Sequence, residues 1–342
     1  MKLHRTLTLS GLLAGIACGL NLAAQRKRAR FSFQGRSVVI TGGSRGLGLV
    51  MARQLAAKGA RLTLLARNAD ELQRAENELE SSGAEVLTIV CDVRRQEQVN
   101  AAIEEVVDHY GTVDVLINNA GVIQVGPLDH MTVQDFEEAF AIHLYAPLFC
   151  SLAVLPMMRR AGHGRIVNIS SVGGKIAVPH LLPYTASKFA LNGFSEGLRA
   201  ELRRENIFVT TVCPGLMRTG SARNALFKGQ HRREYAWFAI SDALPLLSMD
   251  AKAAARQILR ACRRGAPRLV LGLHIKAAVL FNEVFPGAMA ALLSTANRLL
   301  PSSNREGTSE HHTGFESQSW MTPKWLTRLN EEAAGENNQF AE

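Results

Sequence analysis

The stretch Ser37-Val38-Val39-Ile40-Thr41-Gly42-Gly43-Ser44-Arg45-Gly46-Leu47-Gly48 decides the fold. Its first five residues are β-branched or small, as a strand buried on both faces requires. Glycines at 42, 46 and 48 then allow a tight turn and close approach of the backbone to a ligand. The apolar run that follows opens a helix. A strand, a glycine turn and a helix in that order point the helix's first N–H groups at the turn, where they face an anion such as a pyrophosphate.

The same alternation continues outward. Apolar runs at 61–65, 86–91, 113–117, 165–170, 207–213 and 268–272 are separated by amphipathic helical stretches. Such units require right-handed crossovers and give a doubly wound parallel α/β sheet of seven strands, a Rossmann-like domain over residues 34–272. Before it, Thr6 to Gln25 is a 20-residue uncharged stretch, long enough to span a bilayer, flanked by Lys2, Arg5 and Arg26-Lys27-Arg28-Ala29-Arg30. Residues 1–33 read as a membrane anchor with a basic flank. A cleaved secretory signal is the alternative; the basic cluster directly after the apolar run and the poor cleavage signal favour the anchor. Gly11, Gly15 and Gly19 make a small-residue stripe that either admits another helix or only reflects membrane-helix composition. Residues 273–300 are a second apolar region, broken at Phe285-Pro286, expected as helices docked on the domain or dipped into lipid. From Pro301 the chain carries seven acids and three bases and is expected to be largely disordered.

Composition narrows the function classes. The net charge is +9, yet no recognition motif or aromatic–basic stripe accompanies it, so nucleic acid is not an expected partner. Basic residues beside an apolar segment fit a membrane surface, with the main domain facing the cytoplasm. The five cysteines form no CxxC pair and suit a reducing compartment. The ten histidines show no metal-ligand spacing, and no metal is expected.

Two further patterns carry chemistry. In Tyr184-Thr185-Ala186-Ser187-Lys188, Tyr and Lys lie one helical turn apart on one face. An ammonium beside a phenol stabilises the phenolate and pulls its pKa down from about 10 toward the working pH. Ser171 stands thirteen residues upstream, at the end of an apolar strand. The second strand ends Leu64-Leu65-Ala66-Arg67, without the acid that would bind the ribose hydroxyls of NAD(H). Arg45 and Arg67 are either solvated surface residues or partners of a 2′-phosphate; the missing acid favours the second reading and NADP(H). Asp92-Val93 is a candidate adenine contact or a plain turn.

The motifs together resemble the short-chain dehydrogenase/reductase family of the classical type. The resemblance rests on TGGSRGLG at 41–48, NNAG at 118–121, Ser171 with YTASK at 184–188, and Cys213-Pro214-Gly215 followed by Thr219, and covers roughly residues 35–272. It implies that Gly42, Ser44, Arg45, Gly46, Leu47 and Gly48 cradle the cofactor phosphates. Asn118, Asn119, Ala120 and Gly121 would steady the sheet and border the cofactor, and Pro214, Gly215 and Thr219 would line the nicotinamide end. Ser171 would hydrogen-bond a substrate carbonyl, Tyr184 would exchange the proton, and Lys188 would hold the nicotinamide ribose and lower the tyrosine's pKa.

One position departs from that pattern. The family usually has Asn where this chain has His143. The family Asn helps hold a helix kink and a water leading to the lysine. His143 either supplies that water's carbonyl as a tolerated helix residue, which is favoured, or relays protons itself. The segment from Leu216 to Met249 would cap the substrate cleft. Its Phe227, Tyr235, Trp237 and Phe238 either meet a lipid surface or pack inward as an ordinary lid.

The expected activity is hydride exchange between NADP(H) and a lipophilic ketone or secondary alcohol. The layout resembles that of membrane-bound sterol, retinoid and ketosphinganine reductases. An inactive cofactor-binding scaffold of the same fold is the alternative, and a second copy of the chain is a candidate partner.

Overall fold

The β-branched runs pair as a seven-stranded parallel sheet, in the order β3-β2-β1-β4-β6-β7-β11. The twelve described strands are β1 (Ser37–Thr41), β2 (Arg61–Ala66), β3 (Val86–Val90), β4 (Val115–Asn118), β5 (Gln124–Val125), β6 (Gly164–Ile169), β7 (Ile207–Cys213), β8 (Leu216–Arg218), β9 (Leu226–Gly229), β10 (Ser248–Asp250), β11 (Arg268–Val270) and β12 (Thr308–Thr313). The helices are α1 (Gly46–Ala56), α2 (Ala69–Ser81), α3 (Gln96–Tyr110), α4 (Val133–Phe140), α5 (Ala146–Ala161), α6 (Leu182–Leu202), α7 (His231–Ala243), α8 (Ala251–Arg264), α9 (Leu273–Val284), α10 (Pro286–Asn297) and α11 (Lys324–Glu336). The structure is a computed structural model and describes residues 31–245, 247–303 and 308–340. The expected membrane anchor, Thr6 to Gln25 with its glycine stripe, lies outside the described residues.

Both sheet faces are covered, which is why the strands are apolar throughout. α1, α2 and α8 close one face through Leu49, Leu72 and Ile258. α3, α5 and α6 close the other through Val106, Val154 and Leu202. β1 lies between β2 and β4, with Val39 opposite Thr63 and Leu116. The strand order reverses between β1 and β4, so their carboxyl ends part and leave a crevice.

α4 and α5 run as one helix through a π-helical turn at Ala141–Tyr145. Among the described residues, this continuous helix, Val133–Ala161, is the one long and apolar enough to cross a membrane. Its Cys150, Val154 and Met158 are buried in the core of the domain. α9 and α10 meet at Phe285–Pro286 with a bend of 118°. Val279 and Met289 seat this hairpin on Val172 and Ile176, just beyond β6.

The polar tail corrects the expectation of disorder. β12 pairs antiparallel with β9, and α11 packs on α7. Long-range hydrogen bonds do what apolar burial would otherwise do: His311 Nε2 bonds Asp135 Oδ1 at 2.6 Å, and the Asn330 amide donates to Asp242 Oδ2 at 3.0 Å. Composition alone misses such specific pairings.

Asp242 also makes the docking of α11 pH-sensitive. Burial pushes its carboxyl up from 3.8 to about 7, against the opposing pull of Asn330, the Met217 N–H and Arg218. A folded-state value above the unfolded one stabilises fully below the unfolded value and is lost as pH rises through the folded one. The melting temperature is therefore expected to fall from about pH 4 to about pH 7, and Asp242→Asn to flatten that fall. Equal slopes in thermal melts of the two proteins would refute this account.

Candidate active site

The glycine turn leaves β1 at Thr41. Gly42 and Gly46 have φ of +62° and +56°, a region that side chains disfavour. A Cβ on Gly42 would fall 3.0 Å from the Ala120 Cα, so the turn and the 118–121 segment touch backbone to backbone. The N–H groups of Asn119 and Ala120 both donate to Thr41 Oγ1 at 3.0 Å. The Asn119 amide donates to the Thr41 and Gly42 carbonyls at 3.1 and 3.0 Å. Asn118 donates to Asn168 on β6 at 2.8 Å and fastens β4, on one side of the crevice, to its neighbour β6. The turn opens α1, whose first-turn N–H groups have no helical acceptor. The Gly46 N–H among them donates to the Asn337 carbonyl at 2.9 Å, and the N–H groups that follow it fit a dinucleotide pyrophosphate.

At the adenosine end, sequence reasoning missed Glu71. Its buried carboxylate accepts from Ser44 Oγ at 2.9 Å and from Arg45 Nη1 at 2.8 Å. The only sequence sign was the spacing Asn68-x-x-Glu71, a helix-capping pattern. Asn68 does cap α2, accepting from the Glu71 N–H at 2.9 Å. Arg45 is thus already paired, whereas Arg67 is exposed. Asp92 is held by Arg94 at 2.6 Å, and the hydrogen bonds from Arg94 lower its pKa. Val93 turns its side chain into the core beside Val99.

Ser171 follows β6 and caps a short 3-10 turn, its Oγ accepting from the Gly173 N–H at 3.0 Å. Tyr184 enters from the first turn of α6 and hydrogen-bonds Ser171. Lys188 lies one turn on, with its Nζ donating to the Ile169 carbonyl at 2.9 Å. Pro214 joins the cluster by accepting from the Val172 N–H at 2.7 Å. Gly215 abuts Ile275 of α9, and Thr219 is buried. The three expected reacting residues therefore converge at the carboxyl end of the sheet.

The electrostatics differ from the simple expectation. Burial pushes the Tyr184 phenol above its ordinary 10, and the bond from Ser171 only partly opposes this. Burial likewise pushes the Lys188 ammonium down to about 7. The lysine sits 5.6 Å from the phenol ring's centre. In the free chain desolvation outweighs the lysine's pull, and the phenol keeps its proton through the neutral range.

His143 is buried against this cluster. Its ring meets Tyr184 edge-on, with centroids 5.3 Å apart. Its Nε2 accepts from the Val122 N–H at 3.2 Å. Its Nδ1 therefore carries the hydrogen and donates to Ser187 Oγ at 2.8 Å, which in turn donates to the Tyr184 carbonyl at 2.8 Å. Burial, with the nearby Lys188 charge, holds the imidazole neutral, well below its usual 6.5. Such a group braces and does not titrate near neutrality. His143→Asn is expected to leave turnover within about threefold and the pH–rate profile unchanged near pH 6–7. A limb in that range that disappears with the imidazole would overturn this.

The lid aromatics face inward. Phe227 is fully buried and packs edge-on against Tyr235 at 5.4 Å and against Phe238 at 5.9 Å. The Trp237 indole N–H donates to buried Glu234 at 2.7 Å. These residues form a packed apolar cluster, against which Ile123, Val178 and Tyr184 also pack.

A sequence profile described as short chain dehydrogenase matches residues 36–228. SadH of Mycobacterium tuberculosis, whose own description as an oxidoreductase is provisional, is 35% identical over 266 residues, covering 77% of this chain and 95% of SadH. The structure of L-sorbose reductase from Gluconobacter frateurii, complexed with NADPH and L-sorbose, is similar with a TM-score of 0.63 and 26% identity over 70% of this chain and 96% of that one. A short chain dehydrogenase/reductase from Burkholderia phymatum, in complex with NAD, is similar with a TM-score of 0.68 and 25% identity over 75% of this chain and 96% of that one.

Proposed function

We propose, for a chain that belongs to the short-chain dehydrogenase family, that it is an NADP(H)-dependent oxidoreductase of lipophilic ketones or secondary alcohols. The observation that carries this reading is the hydrogen-bonded Ser171–Tyr184 pair beside buried Lys188, with Tyr184 packed against the apolar cluster of Phe227 and Phe238. When bound, the nicotinamide supplies or accepts the hydride. In the reductive direction Ser171 polarises the carbonyl oxygen and Tyr184 gives it a proton. Lys188 supplies positive charge for the phenolate left behind. The alcohol formed has gained one hydride at carbon and one proton at oxygen.

Cofactor choice rests on the absent acid after β2 and on Arg45 and Arg67. The NADPH complex of the Gluconobacter enzyme supports this reading, and the NAD complex of the Burkholderia enzyme keeps the choice a matter for these side chains.

The lipophilic substrate and the membrane setting rest on α9 and α10. Leu273, Phe281, Phe285, Leu292 and Leu299 stand exposed on this hairpin, an apolar patch of the kind that meets lipid. Gly215, Met217, Leu271, Gly272 and Leu273 line a cavity of about 430 Å³ that joins the expected nicotinamide end to the base of α9. With Thr6 to Gln25 as a single-pass anchor, the catalytic domain would lie at the cytoplasmic face. The test is NADPH consumption by the full-length protein in phospholipid vesicles, with ketones of graded hydrophobicity. Turnover is expected to rise with hydrophobicity. NADPH binding without turnover of any ketone would favour the scaffold reading.

A further inference from the structure

We propose that Asn337, Asn338 and Gln339, just after α11, are positioning residues of the dinucleotide site. They tie the glycine turn to the loop after Thr219 and so hold a bound cofactor in its cleft. This rests on the cofactor reading above.

The segment leaves α11 and crosses the start of α1. The Gly46 N–H donates to the Asn337 carbonyl at 2.9 Å. The Asn338 amide donates to the Ser44 carbonyl at 2.9 Å and to the Glu71 carbonyl at 3.0 Å, while Arg74 donates to its Oδ1 at 2.8 Å. Arg53 donates to Asn337 Oδ1 at 3.0 Å and to the Glu336 carbonyl at 2.7 Å. On the opposite wall, the Asn224 amide donates to the Gln339 carbonyl at 3.1 Å and to its Oε1 at 2.7 Å. Asn224 also accepts from Arg45 at 3.4 Å, so the segment reaches the expected phosphate-binding arginine through one intermediary.

Two features separate this from a tail lying on a surface. Asn337 and Gln339 are only 3% and 4% exposed, and buried amides are held in place by their hydrogen bonds, not by apolar transfer. The position of a Cβ on Gly46 would lie 2.6 Å from Gln339 Nε2, so the glycine that shapes the turn also seats the segment. The bracing spans both walls, with Glu71 and Arg74 on one and Asn224 on the other. Among the described residues, no hydrogen bond joins 337–340 to Leu47, Thr219 or Arg67.

The test compares the intact chain with one ending at Gly335 and with a full-length chain carrying Asn338→Ala and Gln339→Ala. NADPH and NADH affinities and release rates are followed by nicotinamide fluorescence, beside kcat, KM and melting temperature. Both variants should weaken NADPH and NADH alike by about tenfold, or about 1.4 kcal/mol, because the braced turn is common to both. The loss should fall on KM for the cofactor, with kcat at saturation held within about twofold. A merely structural role would lower melting temperature and kcat without a selective change in affinity, and overturns the proposal. So does unchanged or tighter NADPH binding in both variants while the intact chain binds. If the intact chain binds neither nucleotide, the cofactor reading falls and this proposal with it.

Discussion

Tyr184→Phe is expected to keep NADPH binding and to lower turnover by roughly two orders of magnitude or more, the loss of a positioned proton donor. The substitution removes one oxygen and its bond to Ser171. The ring keeps its edge-on contact with His143 and its place beside Val178 and Trp237. Binding by fluorescence titration and rate by single turnover would separate the two effects. Because burial raises the phenol's pKa, the donor form persists across neutral pH, and a fall in the reductive rate there should follow loss of the Lys188 charge, at about pH 7. Near-normal turnover in the phenylalanine variant would sink the assignment of Tyr184.

Neutralising Arg45 and Arg67 together, as Arg45→Gln and Arg67→Gln, should weaken NADPH by about 10- to 150-fold and leave NADH nearly unchanged. That range corresponds to the ~1.5–3 kcal/mol of a charge-assisted phosphate contact. The two arginines should not contribute equally. Arg45 is already paired with Glu71 at 2.8 Å, so a phosphate replaces an existing ion pair there, while Arg67 is exposed. Arg67→Gln alone should carry most of the change. Isothermal titration of the single and double variants measures this. Equal weakening of both nucleotides would mean that neither arginine reads the 2′-phosphate.

The sheet was legible because each strand is a β-branched run closed by a turn, and the reading of 61–65 or 207–213 needed only local pattern. The convergence of Ser171, Tyr184 and Lys188 was legible for the same reason, since strand end and helix face fix where each side chain emerges. His143 was visible as a departure, but its proton state was not. That state follows from Val122 and Ser187, 21 residues before it and 44 after it in the chain. Glu71 was missed because its spacing from Asn68 only suits a helix cap, while its bond to Arg45 spans 26 residues of chain. The tail was misread because its attachments are polar and distant, and no periodicity announces a hydrogen bond to a buried carboxylate. The inward packing of Phe227 and Phe238 was likewise undecidable from a mixture of aromatic and basic residues, which suits a lipid face and a core alike.

The bracing of the glycine turn by residues 337–339 sets an order of assembly. Asn338 meets Ser44 across 294 residues of chain, among the longest loops this fold can close. Such contacts form late, because loop-closure entropy opposes them until the sheet exists. During synthesis the glycine turn leaves the ribosome long before residues 337–339. A nascent chain stalled before α11 would thus carry a finished sheet and an unbraced nucleotide turn. Emergence of residues 337–339, more than folding of the sheet, would then be the moment at which the protein first retains its nucleotide. Limited proteolysis of chains stalled before α11 and well beyond residue 339, with and without NADPH, would display that step as protection gained only in the longer chains.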